Sequence, residues 1–185
     1  MKLEEIKKHL GQEFGDEAAF IIEVIETLNL KKDAGILDIG TGRGVMAILL
    51  ALNGYHVITG EPEGDNWADW RSSAEKVGVE NLIRFQYLQA EKLPFDNGEF
   101  DAVFMYTSLH HMDDKVNALK ECVRVIKRGG ILIIIELTPE GVEEVRKRYP
   151  SHSDAVDPRK YLEQLPLDVG VIENGNLNAY VFKKK

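Results

Sequence analysis

The octapeptide LDIGTGRG, Leu37 to Gly44, constrains this chain more than any other stretch. An apolar, strand-like run ends in an acid, and glycines follow at every second position: Gly40, Gly42 and Gly44. Glycine lets a chain turn sharply and lets another group approach the backbone with no side chain in the way. After a first strand and before a helix, such a turn lies at the carboxyl end of a parallel sheet, where open α/β folds bind ligands. The dinucleotide pattern G-x-G-x-x-G fits Gly40 and Gly42 but meets Val45 at its third position. No Gly-Lys-Ser/Thr follows, as a P-loop requires. The pattern is instead D-x-G-x-G-x-G from Asp38. The alternative, a tight strand-to-helix turn without a ligand, rarely needs three glycines.

Strand-like and helix-like segments alternate through most of the chain, which predicts a parallel sheet with helices on both faces. Strands are expected at GILDIG, HVITGE, IRFQYL, DAVFMYTSL and the almost wholly apolar ILIIIEL. Helices are expected at FIIEVIETLNL after a capping Asp16, at VMAILLALN stopping near Gly54, and at NWADWRSSAEKVG closed by Gly78. A further amphipathic helix is read at KVNALKECVRVIKRGG with a glycine stop, and FDNGEF is a turn. Beyond Leu137 come a charged helix (EGVEEVRKRY), the loop PSHSDAVDP and a short helix (RKYLEQLPL). Two alternating runs around Asn174-Gly175 then predict an antiparallel hairpin. The fold class is therefore α/β: a Rossmann-like three-layer sandwich ending in an antiparallel C-terminal hairpin. One domain, residues 1–185, is expected, with an N-terminal helical cap over 1–33, a ligand-binding core over 34–137 and a helical region with hairpin over 138–185.

Composition removes several function classes. The net charge is -8, which argues against non-specific nucleic-acid binding, since that needs clustered Lys and Arg. The basic end Lys183–Lys185 reads as solvated. The lone Cys122 forms no internal disulfide, and no signal-peptide core or membrane-length apolar run is seen, so a cytoplasmic setting is expected. Trp67 and Trp70, three apart on one helix, read as packing residues and not as a base-stacking platform.

Glu61 ends the second strand, about 20 residues beyond the first glycine, where an acid can hold both hydroxyls of a ribose. The alternative is a solvated loop carboxylate beside Glu63 and Asp65. Pro62 stiffens this loop and is placed to cover one face of a purine.

LDIGTGRG, TGEP, AEKLPFDNGEFDAVF and SLHHMDDKVNALKECVRVIKRGGILII together resemble the class I S-adenosylmethionine-dependent methyltransferases. The likeness is greatest to the branch that contains the ubiquinone and menaquinone biosynthesis methyltransferases. It covers roughly Ala34 to Leu137, and the closing hairpin matches as well. The resemblance implies a mostly parallel seven-stranded sheet whose last strand is antiparallel and inserted beside the fifth. It implies S-adenosyl-L-methionine as cofactor and S-adenosyl-L-homocysteine as product. Asp38 and the backbone of Gly40 and Gly42 would hold the methionine end, with Thr41 and Gly44 in the same cofactor loop. Glu61 would bind the ribose; Gln89, Ala90 and Glu91 would border the adenine; Met105 and Tyr106 would lie near the sulfonium. Gln89 departs from the Asp common in the family, although its carbonyl accepts the same hydrogen bond.

Methyl transfer is an in-line displacement that depends mostly on positioning, and a hydroxyl acceptor usually needs a base. The candidate bases are His111, His110 and Tyr106, with a packing or capping role as the alternative for the histidines and a pocket-wall role for Tyr106. His152 is a further candidate to touch substrate. A metal at HHMDD is not expected, because adjacent histidines in a loop do not converge on one ion, and Asp113 or Asp114 is placed to cap the next helix. Phe14 is expected to reach over the cofactor. The cap is small, which leaves the site open or completed by a partner or a second copy in a homodimer. The reading is a methyltransferase acting on a small-molecule acceptor, with no nucleic-acid or membrane partner. Its rivals are a non-catalytic S-adenosylmethionine-binding or regulatory protein of the same fold and, disfavoured by Val45, an NAD-binding oxidoreductase.

Overall fold

The computed structural model describes residues 3–64 and 69–185, with the side chains of residues 3, 5 and 12–16 left aside. Trp67 and the side chains of Phe14 and Asp16 therefore lie outside the described residues. The chain packs as two compact units, Met1–Tyr87 and Leu88–Lys185.

The first unit opens with helices α1 (Leu3–Leu10) and α2 (Gln12–Thr27). The expected helix at Phe20 thus starts earlier, and Asp16 falls inside it; the break is at Gly11, whose φ of +92° interrupts the helical path. Strand β1 (Ile36–Ile39) is buried at every position. It feeds the glycine loop and then α3 (Val45–Leu52), whose residues Met46 to Ala51 are all buried. A helix apolar on all sides must be enclosed. Strand β2 (Val57–Glu61), helix α4 (Trp70–Lys76), a short 3-10 turn and strand β3 (Ile83–Tyr87) complete the unit. The strand order is β3-β2-β1, with all pairs parallel.

The second unit runs through β4 (Phe100–Tyr106), α5 (Lys115–Val125), β5 (Ile126–Leu137), α6 (Pro139–Arg146), α7 (Arg159–Leu162), β6 (Leu167–Asn174) and β7 (Leu177–Lys184). Its order is β4-β5-β7-β6. The β4–β5 pair is parallel, whereas β7 runs antiparallel between β5 and β6. The seven strands therefore make the mixed sheet expected from the sequence, with its antiparallel closing hairpin.

Two expectations are corrected here. The helix read through Gly130 stops at Val125, and the following residues belong to β5. Pairing jumps from Phe100↔Ile126 to Ala102↔Ile131, so residues 127–130 form a bulge in β5. A Cβ on Gly130 would lie 2.7 Å from the Asp101 carbonyl oxygen, so the glycine there permits strand contact instead of ending a helix. The C-terminal lysines are not merely solvated. Lys184 Nζ donates to the carbonyls of Val123 and Ile126, each at 2.7 Å, and so satisfies orphan groups at the end of α5. Lys185 pairs with Asp168.

One face of α5 holds the loop after β3. Asn117, Glu121 and Arg124, spaced four and three apart, lie on one side of the helix. Asn117 donates to the Glu91 carbonyl, Glu121 accepts from the Leu93 amide, and Arg124 donates to the carbonyls of Leu93 and Phe95. The adjoining face buries Ala118, Leu119, Cys122 and Val125. Asp114 caps the helix by accepting from the Asn117 amide, as the sequence suggested for Asp113 or Asp114.

The hairpin turn is fastened to the start of α6. Its two-residue loop is Gly175-Asn176, one residue later than expected, because Asn174 pairs with Leu177. Thr138 donates its amide to the Asn176 carbonyl and its hydroxyl to the Gly175 carbonyl, while the same hydroxyl caps α6 by accepting from the Gly141 amide. A Cβ on Gly141 would lie only 2.1 Å from the Asn176 carbonyl oxygen. Gly141→Ala is therefore expected to lower stability by about 2 kcal/mol or more. Gly170→Ala, where a Cβ meets nothing within 4 Å, is the control and should change little. Equal melting temperatures for the two variants would remove Gly141 from the hairpin's anchorage.

Candidate active site

In the first unit the site is built on a buried carboxylate. Asp38 is fully enclosed at the third position of β1. The Thr59 hydroxyl, on the parallel neighbour β2 and in register with Asp38, donates to Asp38 Oδ2 at 2.8 Å. Thr41 Oγ1 lies 2.8 Å from Thr59 Oγ1. Since the single Thr59 proton is committed to Asp38, Thr41 is the donor in that second bond. A relay thus runs Thr41 to Thr59 to Asp38, from the glycine loop back into the sheet. The Gly40 and Thr41 amides both donate to the Gly60 carbonyl, at 3.0 and 3.3 Å, and the Gly44 amide donates to the Thr41 carbonyl at 2.7 Å.

Asp38 Oδ1, in contrast, is buried with no hydrogen-bond partner. Burial pushes the Asp38 carboxyl up to about 7, against the lowering effect of the Thr59 hydrogen bond and with a further rise from the Glu61 charge. An enclosed acid of this kind, with one open acceptor at the carboxyl end of a strand, is suited to meet a cationic group.

The three glycines have separate jobs. All have positive φ, at +92°, +48° and +81° for Gly40, Gly42 and Gly44. A Cβ on Gly42 would meet nothing within 4 Å, so the loop leaves open space there. A Cβ on Gly44 would come within 2.8 Å of Trp70 Cβ and 3.2 Å of Ile48 Cδ1. Gly44 is thus required by the packing of α4 against the loop, a role that the sequence alone did not reveal. Trp70 itself is buried, with its ring 6.0 Å from Phe85 and covered by the Arg71 guanidinium, which agrees with the packing role read for it. The Gly42 amide donates to Glu61 Oε1, so this carboxylate is drawn back toward the glycine loop. Pro62 follows it, part-buried.

In the second unit, Gln89, Ala90 and Glu91 form a tight turn after β3, closed by the Lys92 amide donating to the Gln89 carbonyl at 3.1 Å. Gln89 is exposed, Ala90 is buried, and the Glu91 backbone is held by Asn117. Met105 is fully buried in β4, and Tyr106 is half-buried at its end. Thr107 comes next, with φ at +45°, an uncommon conformation for a non-glycine residue. Its amide donates to the Ile135 carbonyl, and this bend launches the turn that carries the histidines.

Glu136, near the end of β5, organises that turn, and the sequence reading missed it. The signal was present: one acid in the otherwise apolar run ILIIIEL. Its carboxylate is 1% exposed. Glu136 Oε1 accepts from the Leu109 amide at 2.9 Å, and Oε2 lies 2.8 Å from His110 Nδ1. The His110 ring is flanked by those of His111 and His152, with centroids 4.1 and 4.9 Å away. Arg146 fixes the His152 segment by donating twice to the His152 carbonyl, at 2.9 and 2.7 Å. Burial is the main cause that lowers His111, with the neighbouring His110 adding to it, so His111 favours its neutral form. Burial likewise pushes the Cys122 thiol up, which makes it unreactive. Among the described residues, no group of three or more His, Cys, Asp or Glu is arranged to hold a metal ion.

The sequence profile of a methyltransferase domain family matches residues 37–134, a little over half of the chain. The chain is 33% identical to a demethylmenaquinone methyltransferase of Clavibacter sepedonicus, over 66% of this chain and 49% of that protein. Among solved structures, the YcgJ protein of Bacillus subtilis is 26% identical, with a TM-score of 0.69, over 84% of this chain and 71% of that one. A SAM-dependent methyltransferase of Aquifex aeolicus shares the fold over the full length of both chains, at a TM-score of 0.69 and 22% identity. This chain belongs to the methyltransferase domain family, within the class I S-adenosylmethionine-dependent group that its motifs resemble. It spans about half the length of the curated relatives it matches.

The raised Asp38 carboxyl has a consequence for stability. Between 3.8, its ordinary value, and about 7, the folded chain keeps a proton that the unfolded chain has lost. The contribution of this group to stability therefore falls as pH rises through that window and is lost above about 7. Asp38→Asn removes the effect, so its stability relative to the native chain should rise across the same window. A native-minus-variant difference that stays flat there would show that Asp38 does not titrate in this range.

Proposed function

We propose that the chain is a single S-adenosylmethionine-dependent methyltransferase domain that methylates a small-molecule acceptor in a reducing, cytoplasmic compartment. The observation that carries this reading is the open acceptor Asp38 Oδ1 beneath a glycine loop with free space before Gly42. These residues fit the cofactor's charged methionine end, because a buried acid with an unmet acceptor favours an ammonium partner. The family match supports the same reading and runs through residues 87 and 88, where the two compact units meet in sequence. Among the described residues, no helix is long and apolar enough to cross a membrane, and Cys122 is buried.

When bound, the cofactor would supply a methyl group on a cationic sulfur, to be taken by an acceptor lone pair as the sulfur keeps the electron pair of the broken bond. The remaining work falls to the protein. Asp38, with the Gly40 and Gly42 backbone and with Thr41 and Gly44 in the same loop, holds the methionine end. Glu61 would hold the ribose hydroxyls, and Pro62 would cover one face of the base. Gln89, Ala90 and Glu91 border the adenine. Met105 and Tyr106 would lie near the sulfonium, and His111, His110 and Tyr106 are the candidates to act on the acceptor.

Calorimetric titration with S-adenosylmethionine, S-adenosylhomocysteine and NAD tests this directly. Binding of the two sulfur ligands and not NAD is expected. Glu61→Ala should weaken that binding by about 1–3 kcal/mol, the range for losing a hydrogen-bonded charged partner. Gly42→Val should abolish it while the variant's far-UV spectrum stays native. NAD binding in preference to the sulfur ligands would overturn the assignment. Unchanged affinity in Glu61→Ala would return that residue to the role of a loop carboxylate.

A further inference from the structure

We propose that the edge strand β6 receives a second copy of this chain, the two joined strand to strand about a two-fold axis at Gly170. The inference rests on the closing hairpin and not on the methyl-transfer reading. β6 is the outermost strand on its side of the sheet, so alternate backbone groups along it face no other strand. Which groups these are follows from the turn. Asn174 and Leu177 close a two-residue loop, and such a closing pair exchanges both of its hydrogen bonds. Bonded pairs then alternate along the ladder. Asn174, Ile172, Gly170 and Asp168 therefore spend their amides and carbonyls on β7, while Glu173, Val171 and Val169 turn theirs outward. Leu167 agrees with this alternation, since its amide donates to the Leu165 carbonyl at 2.8 Å and not to β7.

Proline, lysine and bulges are common guards of such an edge, and β6 contains none of them. Its pairing with β7 runs unbroken from Leu167↔Lys184 to Asn174↔Leu177. Its outward residues are also apolar: Val169 is 50% exposed and Val171 36%. Among the described residues, the other exposed large apolar side chains are Tyr87, Val116 and Tyr149, and no two of those share an element. Val169 is in register with Phe182 of β7 and Val171 with Tyr180, and both of these rings are buried. The apolar layer of the hairpin thus reaches the edge of the sheet and ends in water.

A second copy completes that layer. Outward groups bond only to outward groups, so the two-fold axis must pass through a residue and not between two. With the axis at Gly170, Val169 of one copy lies opposite Val171 of the other, and Val171 opposite Val169 in return. The row Phe182, Val169, then Val171 and Tyr180 of the second copy is then continuous. Asp168 faces Ile172 and Glu173 faces Leu167, so no like charges are opposed. Asp168 is in addition paired with Lys185 of its own chain. An axis at Val171 would set Glu173 against Val169, and one at Val169 would leave Glu173 beyond the end of the facing strand.

Sedimentation equilibrium of the native chain tests the pairing, in salt high enough to screen the net charge of -8 on both copies. A dimer is expected within a series up to about 100 µM, a range that reports micromolar association. The double variant Val169→Lys/Val171→Lys brings four cations together across the axis and should stay monomeric, with a native far-UV spectrum. Crosslinking reads the register. Residues opposed at a non-bonded antiparallel pair have Cα atoms about 4.5 Å apart, within disulfide reach. Gly170→Cys, where a Cβ meets nothing within 4 Å, should oxidise to a covalent dimer, and Cys122 is buried and takes no part. Glu173→Cys, far from the axis, should not. A native chain that remains monomeric throughout the series would overturn the proposal. So would a dimer that survives the double lysine variant, or crosslinking of Glu173→Cys as readily as Gly170→Cys. None of these results bears on cofactor binding, which is read separately by calorimetry.

Discussion

Taking a carboxylate out of water is expensive unless its oxygens are met, and this chain encloses two acids, one met at both oxygens and one at a single oxygen. Asp38 and Glu136 sit within β1 and β5 among almost wholly apolar neighbours, and both are enclosed. Each ties a loop to the sheet, directly or through a relay. Asp38 draws Thr59 and, through it, Thr41 into place beneath the glycine turn. Glu136 gathers the Leu109 amide and the His110 ring. The bonds to each acid hold the segment that supplies them, because breaking one leaves a further buried oxygen unmet.

The two acids differ in what they leave open. Glu136 has both oxygens engaged, and the unmet atom has been passed along to His110 Nε2. Asp38 keeps its own unmet oxygen, and burial raises its carboxyl to about 7. One arrangement is suited to meet a cation, and the other fixes the orientation of an imidazole ring.

Around these centres the structure spends hydrogen bonds on placing backbone. Asn117, Glu121 and Arg124 clamp the segment after β3 from one face of α5. Thr138 serves at once as the cap of α6 and the anchor of the hairpin loop. Lys184, at the far end of β7, closes the carbonyl end of α5. Such contacts turn loops, which are otherwise the mobile part of an α/β fold, into fixed supports for the residues they carry.

Local pattern alone was enough to determine the alternation of strands and helices, the glycine turn after β1, the acid at the end of β2 and the closing hairpin. These features rest on hydrophobic period and on backbone conformations that few residues tolerate, and both are written in neighbouring letters. The order of motifs was enough for the family. The end of α5 was misread because the KRGG bulge depends on Gly130 touching the Asp101 carbonyl, a contact between strands distant in sequence. For the same reason the packing of Gly44 against Trp70 was not legible in the spacing of the loop. Glu136 passed unnoticed as one acid in an apolar strand, because its partners lie 26 and 27 positions away. Sequence spacing carries the conformational preference of each segment, whereas the partner of a buried polar group is decided only when the sheet brings separate strands side by side.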